Sequence, residues 1–203
     1  MGTLSPPSAT ALKQTQILQG ALQVFLHRGY EGTSMDQVAA AAKVSKITIY
    51  KHFQHKEGLF IALIEWVTAQ RFQAIFGSLS LEEKPAKVLR LVATRLLDRL
   101  AVDEEYIAFL RLIIGESGRF PALAQLFVQA LPQKVLHLLS HYLEAHPELK
   151  LANPEATARI FLGTLMGYIL TQKLLHGQPI IPMNQDDLID SLIDVIVRYP
   201  GQD

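Results

Sequence analysis

The chain has 203 residues, 49% of them apolar and 19% charged, with 19 Lys/Arg balancing 19 Asp/Glu. That length accommodates one ordinary domain, or a small domain beside a larger one, and the apolar fraction is enough for a real core. With no cysteine, disulfide scaffolds and thiolate metal sites are excluded, and with no uncharged apolar run of about eighteen residues no membrane span is expected.

The neutral total hides an asymmetry. Residues 1–56 hold six Lys/Arg against two Asp/Glu, and residues 57–203 hold thirteen against seventeen. Attraction to phosphate is local, screened within about 10 Å at ordinary salt. A basic N-terminal segment therefore suits a polyanionic partner although the sum is zero. Residues 1–10 include Pro6 and Pro7 and lack the basic and apolar regions of a signal peptide. They are expected to form a disordered tail, and the protein is expected to be cytoplasmic.

Apolar residues recur at three and four along the chain, with no sustained alternation, so the predicted class is all-α with about nine helices. Helix one covers about 12–27, with Ile17, Leu18, Ala21, Leu22 and Phe25 on one stripe. Gly29 is its natural stop. Next come two short helices around a tight turn, in TSMDQVAAAAKVSKITIYKHF, residues 33–53. Ser34 caps the first, and Gln37 stands three residues on, as a capping box requires. Val38, Ala39 and Ala42 give it a small apolar face. Lys43 and Val44 turn the chain, and Ser45 caps the second helix. There Ile49 and Phe53, one turn apart, point to a core. Lys46, Ile47, Thr48, Lys51 and His52 remain outside. Such a face suits the major groove of DNA, where Lys, Thr and apolar side chains meet base edges and the thymine methyl.

The run ILQGALQVFLHRGYEGTSMDQVAAAAKVSKITIYKHFQHKEGLFIALI, residues 17–64, resembles the N-terminal DNA-binding domain of TetR-family transcriptional regulators. The resemblance rests on the apolar first helix, the RGYEGTS link, the VS cap, the TIYKHF recognition helix and the HKEGLF start of helix four. It implies a helix-turn-helix domain, here residues 11–56, followed by a larger ligand-binding and dimerisation domain, residues 57–203. It also implies a homodimer on a palindromic double-stranded DNA operator. The DNA-facing set is then Thr33, Ser34, Ser45, Lys46, Ile47, Thr48, Tyr50, Lys51, His52 and Lys56, with Thr33 and Ser34 at the DNA backbone. Tyr50 enters through the comparison with the family. Lys56 enters because it opens helix four, where backbone amides also face a phosphate. Two positions depart from the family: Lys43 stands where Gly is usual, which predicts a strained turn, and Ile47 stands where a small residue is common.

Helix four is predicted over about 56–76, long enough to run from one domain into the next. Residues 77–84 read as a linker. Helix five covers about 85–100, helix six 103–114, and helix seven 121–145 with an irregularity before Pro132. Helix eight covers 154–176 and helix nine 185–199. Helix eight is apolar almost all round in IFLGTLMGYIL, so it needs cover on more than one side. Gly163, Met166, Gly167, Leu188, Leu192 and Ile196 are the expected dimer interface. The segments RLIIGESGRFPALAQLF, 111–127, and NPEATARIFLGTL, 153–165, resemble the AefR-like branch of the family, which implies a helical signal-sensing domain.

An effector pocket is expected among Phe72, Phe76, Leu110, Arg111, Phe127, Leu131, Tyr168 and Gln172. Tyr168 and Gln172, four apart, are its best polar pair. The scarcity of charge on the apolar stripes favours a small hydrophobic or aromatic effector. No cofactor, metal or catalytic residue is expected. His137 and His141 have metal-ligand spacing but face away from their helix's apolar stripe, and Glu116 with Arg119 reads as an ion pair at a broken helix end. The leading function is a ligand-responsive transcriptional regulator, a repressor released by its effector. The alternatives are an all-helical enzyme and an interaction scaffold that has lost specific DNA binding.

Overall fold

The computed structural model describes residues 9–197, which are all-α, with no strand among them. They form two compact units. Unit 1 comprises the described residues up to Val67 together with Ala108–Phe127, and unit 2 comprises Thr68–Ile107 with the described residues from Val128 onward. The division at 56/57 follows chain order; the compact units do not. Helix α4 (Lys56–Phe76) stays in unit 1 through Val67, where Leu59, Phe60, Leu63 and Ile64 are at most 1% exposed. Each such side chain contributes about 1.5–3 kcal/mol by leaving water, which ties this half of α4 to the rest of unit 1, with Phe60 against Phe25 and Tyr30. α4 is the one described helix with the length and apolarity of a membrane span, its best stretch having a mean hydropathy of 1.2. Leu59, Phe60, Leu63, Ile64 and Val67 face protein.

In unit 1, α1 (Ala9–Arg28) begins two residues inside the expected tail; residues 1–8 lie outside the described part. It ends at Gly29, whose φ of 70° is open to glycine at little cost. α2 (Met35–Ala41) has its capping box: Ser34 Oγ accepts from the Gln37 amide at 3.3 Å, and the Ser34 amide donates to Gln37 Oε1 at 2.9 Å. α1 and the end of α2 meet at Gly20, where an added Cβ would lie 2.7 Å from the Ala42 nitrogen. Gln16 Nε2 donates to the Ala42 carbonyl at 2.7 Å beside it. Lys43 turns the chain at φ 52°, the strained conformation predicted for it. α3 (Lys46–His52) follows.

In unit 2, α5 (Pro85–Leu100) and α10 (Gln185–Val197) pack together. Their edges are joined by an Arg90–Asp190 ion pair and by Gln185 Nε2 donating to Asp98 Oδ1 at 2.7 Å. This pairing absorbs the apolar stripe of α10. Leu192 and Ile196, expected at a dimer seam, are 6% and 4% exposed within the single chain, so they are core residues. The predicted end of the last helix, beyond Val197, lies outside the described residues.

α6 (Glu104–Glu116) carries residues of both units. Asp103 Oδ1 accepts from the Tyr106 amide at 2.9 Å, so the expected first residue of this helix is its cap. The other Asp103 oxygen meets Arg71 at 2.6 Å. The single helix expected over 121–145 is two, α7 (Pro121–Ala130) and α8 (Pro132–Glu144). Pro132 donates no hydrogen bond and crowds Leu131 out of helical geometry, and Leu131 sits at φ −130°, ψ −65°. α9 (Pro154–Tyr168) gives way to a π-helical turn over Ile169–Leu174. The wider turn shows in Leu175 N–H to Leu170 O at 2.9 Å and Gly177 N–H to Thr171 O at 2.8 Å, with His176 at φ 56°.

Candidate nucleic-acid interface

The recognition helix is held at one end and along one side. Ser45 Oγ accepts from the Thr48 amide at 3.1 Å, and the Ser45 and Thr48 hydroxyls are 2.8 Å apart. Ile49, fully buried, and Phe53, 8% exposed, anchor the inner side. This leaves Lys46, Ile47, Tyr50 and Lys51 exposed, with Thr48 and His52 half-buried. Ile47 is 83% exposed and Tyr50 47%. An isoleucine so exposed in the first turn of a capped, anchored helix has no partner in its own core; it meets water or a ligand surface. The helix is narrow enough for the ~12 Å major groove, and its face offers two ammonium groups, a phenol, a hydroxyl and a methyl-rich side chain.

Lys46 is not idle. Its ammonium is 2.5 Å from Asp36 Oδ2, in the first turn of α2, and this hydrogen bond holds its pKa above the usual lysine value. Both side chains are more than half exposed, so the pair contributes little stability and a phosphate competes with it readily.

Two expected DNA contacts are engaged inside the protein. Thr33 is 4% exposed and its hydroxyl donates to the Gly29 carbonyl at 2.7 Å, so that proton is spent on closing the loop. Lys56 Nζ donates to the carbonyls of Tyr30 at 2.9 Å and Glu31 at 3.1 Å, and lies 4.7 Å from the centre of the Tyr30 ring. Ser34 is exposed and serves as the cap of α2.

Tyr30, which the sequence did not single out, is the hub of this loop. Its ring contacts Phe60 at 4.9 Å and Phe120 at 4.6 Å, and stacks 6.0 Å from Phe25. Its amide donates to Glu116 Oε1 at 3.0 Å. Burial, with the charges of Glu57 and Glu31 adding to it, pushes its phenol above the usual range. Glu116 thus serves the turn between α1 and α2 in place of the expected pairing with Arg119. Gly29 makes room for it, since a Cβ there would stand 3.1 Å from Glu116 Oε1. Tyr30 and Glu116 are 86 residues apart, so no local pattern announces the contact.

Of the expected effector residues, Tyr168 and Gln172 line a cleft of about 330 Å³ beside the π-helical turn. Phe72, Phe76, Leu110, Arg111, Phe127 and Leu131 do not line it. Phe72 and Phe76 pair at 5.0 Å, Phe127 packs on Phe109 at 6.2 Å, Leu110 and Leu131 are buried, and Arg111 is exposed. Of the expected dimer residues, Gly163 and Gly167 have no atom within 4 Å of an added Cβ. They lie beside exposed Ile160, Met166 and Leu170, while Leu188 is half-buried. His141 meets only Glu144, at 3.3 Å on an exposed surface, and the described residues hold no cluster of three metal-binding side chains.

Comparison with known proteins agrees with this geometry. Residues 17–63 match the family model described as bacterial regulatory proteins, tetR family. Residues 87–199 match the AefR-like transcriptional repressor, C-terminal domain. The HTH-type transcriptional regulator YvkB of Bacillus subtilis is 29% identical over 192 residues, covering 90% of this chain and 94% of that protein. A TetR-family regulator from Mesorhizobium loti superposes with a TM-score of 0.78 at 25% identity, over 95% of this chain and 98% of that one. The flavonoid-responsive regulator FrrA does so with a TM-score of 0.74 at 30% identity, over 93% and 94%. With one model covering the helix-turn-helix and the other more than half of the chain, this protein belongs to the TetR family of helix-turn-helix transcriptional regulators.

Proposed function

We propose that the protein acts as a two-fold dimeric repressor whose paired α3 helices hold a palindromic DNA operator, and that a small hydrophobic or aromatic molecule releases it. The observation that carries the DNA reading is the exposed face of α3, Lys46, Ile47, Tyr50 and Lys51 around a buried Ile49. The repressor assignment draws on the AefR-like C-terminal match. The effector class draws on FrrA, named for its response to flavonoids, which are aromatic and largely apolar.

The dimer is assigned to the α9 face where Gly163 and Gly167 lie open beside Ile160, Met166 and Leu170. Gly167→Glu places a charge there, which in a formed interface is buried unpaired. Sedimentation of that variant as a monomer, with loss of operator binding, is the expected result; an intact dimer moves the interface elsewhere.

Selection of bound fragments from the source genome, followed by anisotropy titration across a salt series, tests the whole reading. A regulator gives a site of two inverted halves about 34 Å apart and a steep salt slope. Weak binding with no preferred sequence favours the scaffold alternative instead. Effector release is then read by titrating flavonoids and simpler aromatics into the operator complex. A compound lowers operator affinity only if it prefers the unbound geometry. A tenfold loss corresponds to ~1.4 kcal/mol of coupling, and the operator must weaken effector binding by the same factor.

A further inference from the structure

The cleft beside the π-helical turn is built differently from a gap between packed side chains. Gln172 forms part of its wall and is only 4% exposed. Its Nε2 donates to the Ile181 carbonyl at 2.8 Å, which fixes the amide, because the reverse orientation would set two oxygens against each other. Its Oε1 is sealed from solvent and has no donor. A buried acceptor left in this state carries an uncompensated desolvation cost until a donor reaches it.

The remaining polar lining has the same bias. The Thr164 hydroxyl donates to the Ile160 carbonyl at 2.9 Å and the Thr171 hydroxyl to the Gly167 carbonyl at 2.8 Å. Both hydrogens are spent within the helix, so what these groups offer a ligand is lone pairs. Tyr168 adds a hydroxyl that can donate or accept. No charged side chain lines the cleft, and the rest of the wall is apolar, Ile181 and Met183 among it. An anion would find no cation and a metal ion no carboxylate. The volume of about 330 Å³ is at the lower end of small-molecule sites. π-Helical turns recur at functional sites, and this one joins the wall to the segment after Gly177.

We propose that this cleft is a small-molecule site for a neutral, largely apolar compound bearing one hydroxyl or N–H donor, with Gln172 Oε1 as the acceptor that selects it. The compound reaches the amide by displacing the Ile181 and Met183 side chains, which are 57% and 43% exposed and so not locked by packing within the single chain. The proposal concerns binding alone and stands whether or not the effector response proposed above is found.

The probes are 2-naphthol and 2-methoxynaphthalene, which share a ring system and differ in the donor. The readout is the Met183 methyl resonance of protein labelled with ¹³C-methyl methionine, assigned through Met183→Leu; the chain has only 4 methionines. Saturable movement of Met183 by 2-naphthol is expected, with Met35 unmoved and the methoxy compound at least about tenfold weaker, a difference of ~1.4 kcal/mol. Gln172→Leu should bring the two probes within about twofold of each other. Tyr168→Phe, which leaves the Gln172–Ile181 bond in place, should keep the preference for the naphthol. Equal binding of the two probes to the unmodified protein overturns the proposal. So does a Met183 signal that responds only to protein dilution, which would mean that a second copy of the chain fills the cleft.

Discussion

Lys56 separates two physical readings of the same residue. As a phosphate contact, it would lose about one released counterion on mutation, and the slope of log K against log salt would become shallower by ~0.9. The structure shows a clamp: its ammonium ties the carbonyls of Tyr30 and Glu31 and lies over the Tyr30 ring. A hydrogen bond to a charged donor contributes about 1.5–3 kcal/mol when shielded. Only the bond to Tyr30 is partly buried, so it takes the low end, and the exposed bond to Glu31 adds roughly 0.5 kcal/mol. The ring adds about 0.5 kcal/mol. Lys56→Met should therefore destabilise the fold by about 2.5 kcal/mol, lowering Tm by ~5–10 °C in a chain of this size. Operator affinity should fall because the loop before α2 loosens, but the salt slope should stay within ~0.3 of the unmodified protein. Thermal unfolding and anisotropy at four salt concentrations give both numbers. An unchanged Tm with a slope shallower by ~0.9 would refute the clamp and restore the phosphate contact.

Asp36→Asn frees Lys46 and removes a negative charge beside the DNA-facing helix. Operator affinity should rise several-fold at low salt and the salt slope should steepen by up to ~0.9, while α2 loses ~0.3–1 kcal/mol of N-terminal charge stabilisation; unchanged affinity at low salt counts against Lys46 at the DNA. Gly20→Ala drives a methyl to 2.7 Å from the Ala42 backbone. Overpacking of this kind costs about 1–3 kcal/mol, and because backbone must move, binding should fall together with stability in denaturant melts. Leu192→Arg should unfold the chain or lower its stability by several kcal/mol at any protein concentration, since the residue is buried within one subunit; a well-folded monomer would return Leu192 to the dimer interface.

The fold class and most of the helix-turn-helix were legible because they rest on short-range rules. The capping box at Ser34 and Gln37, the stop at Gly29, the strained turn at Lys43 and the cap at Ser45 each depend on residues within four positions of one another. The break at Leu131 followed from Pro132, although its completeness did not. The π-helical turn had no signal of this kind: nothing in ILTQKL distinguishes it from an ordinary helical turn.

What the sequence did not announce depends on which face of a residue meets which neighbour. Thr33 and Lys56 have the chemistry of phosphate ligands, but the loop between α1 and α2 has several backbone carbonyls to satisfy, and the nearest donors are these two. Leu192 and Ile196 have the chemistry of an interface, but α5 offers α10 a complementary apolar face within the same chain. In both cases an intramolecular partner meets the same physical demand as the expected external one. A DNA contact is therefore best sought among side chains the fold leaves unmet. Ile47 meets that condition outright and Lys51 is open to solvent, whereas Lys46 must first give up Asp36. Base preference should accordingly follow Ile47: replacing it with Ala should relax discrimination at a single base pair by about 1–3 kcal/mol while leaving the salt slope unchanged, because an apolar contact releases no counterion.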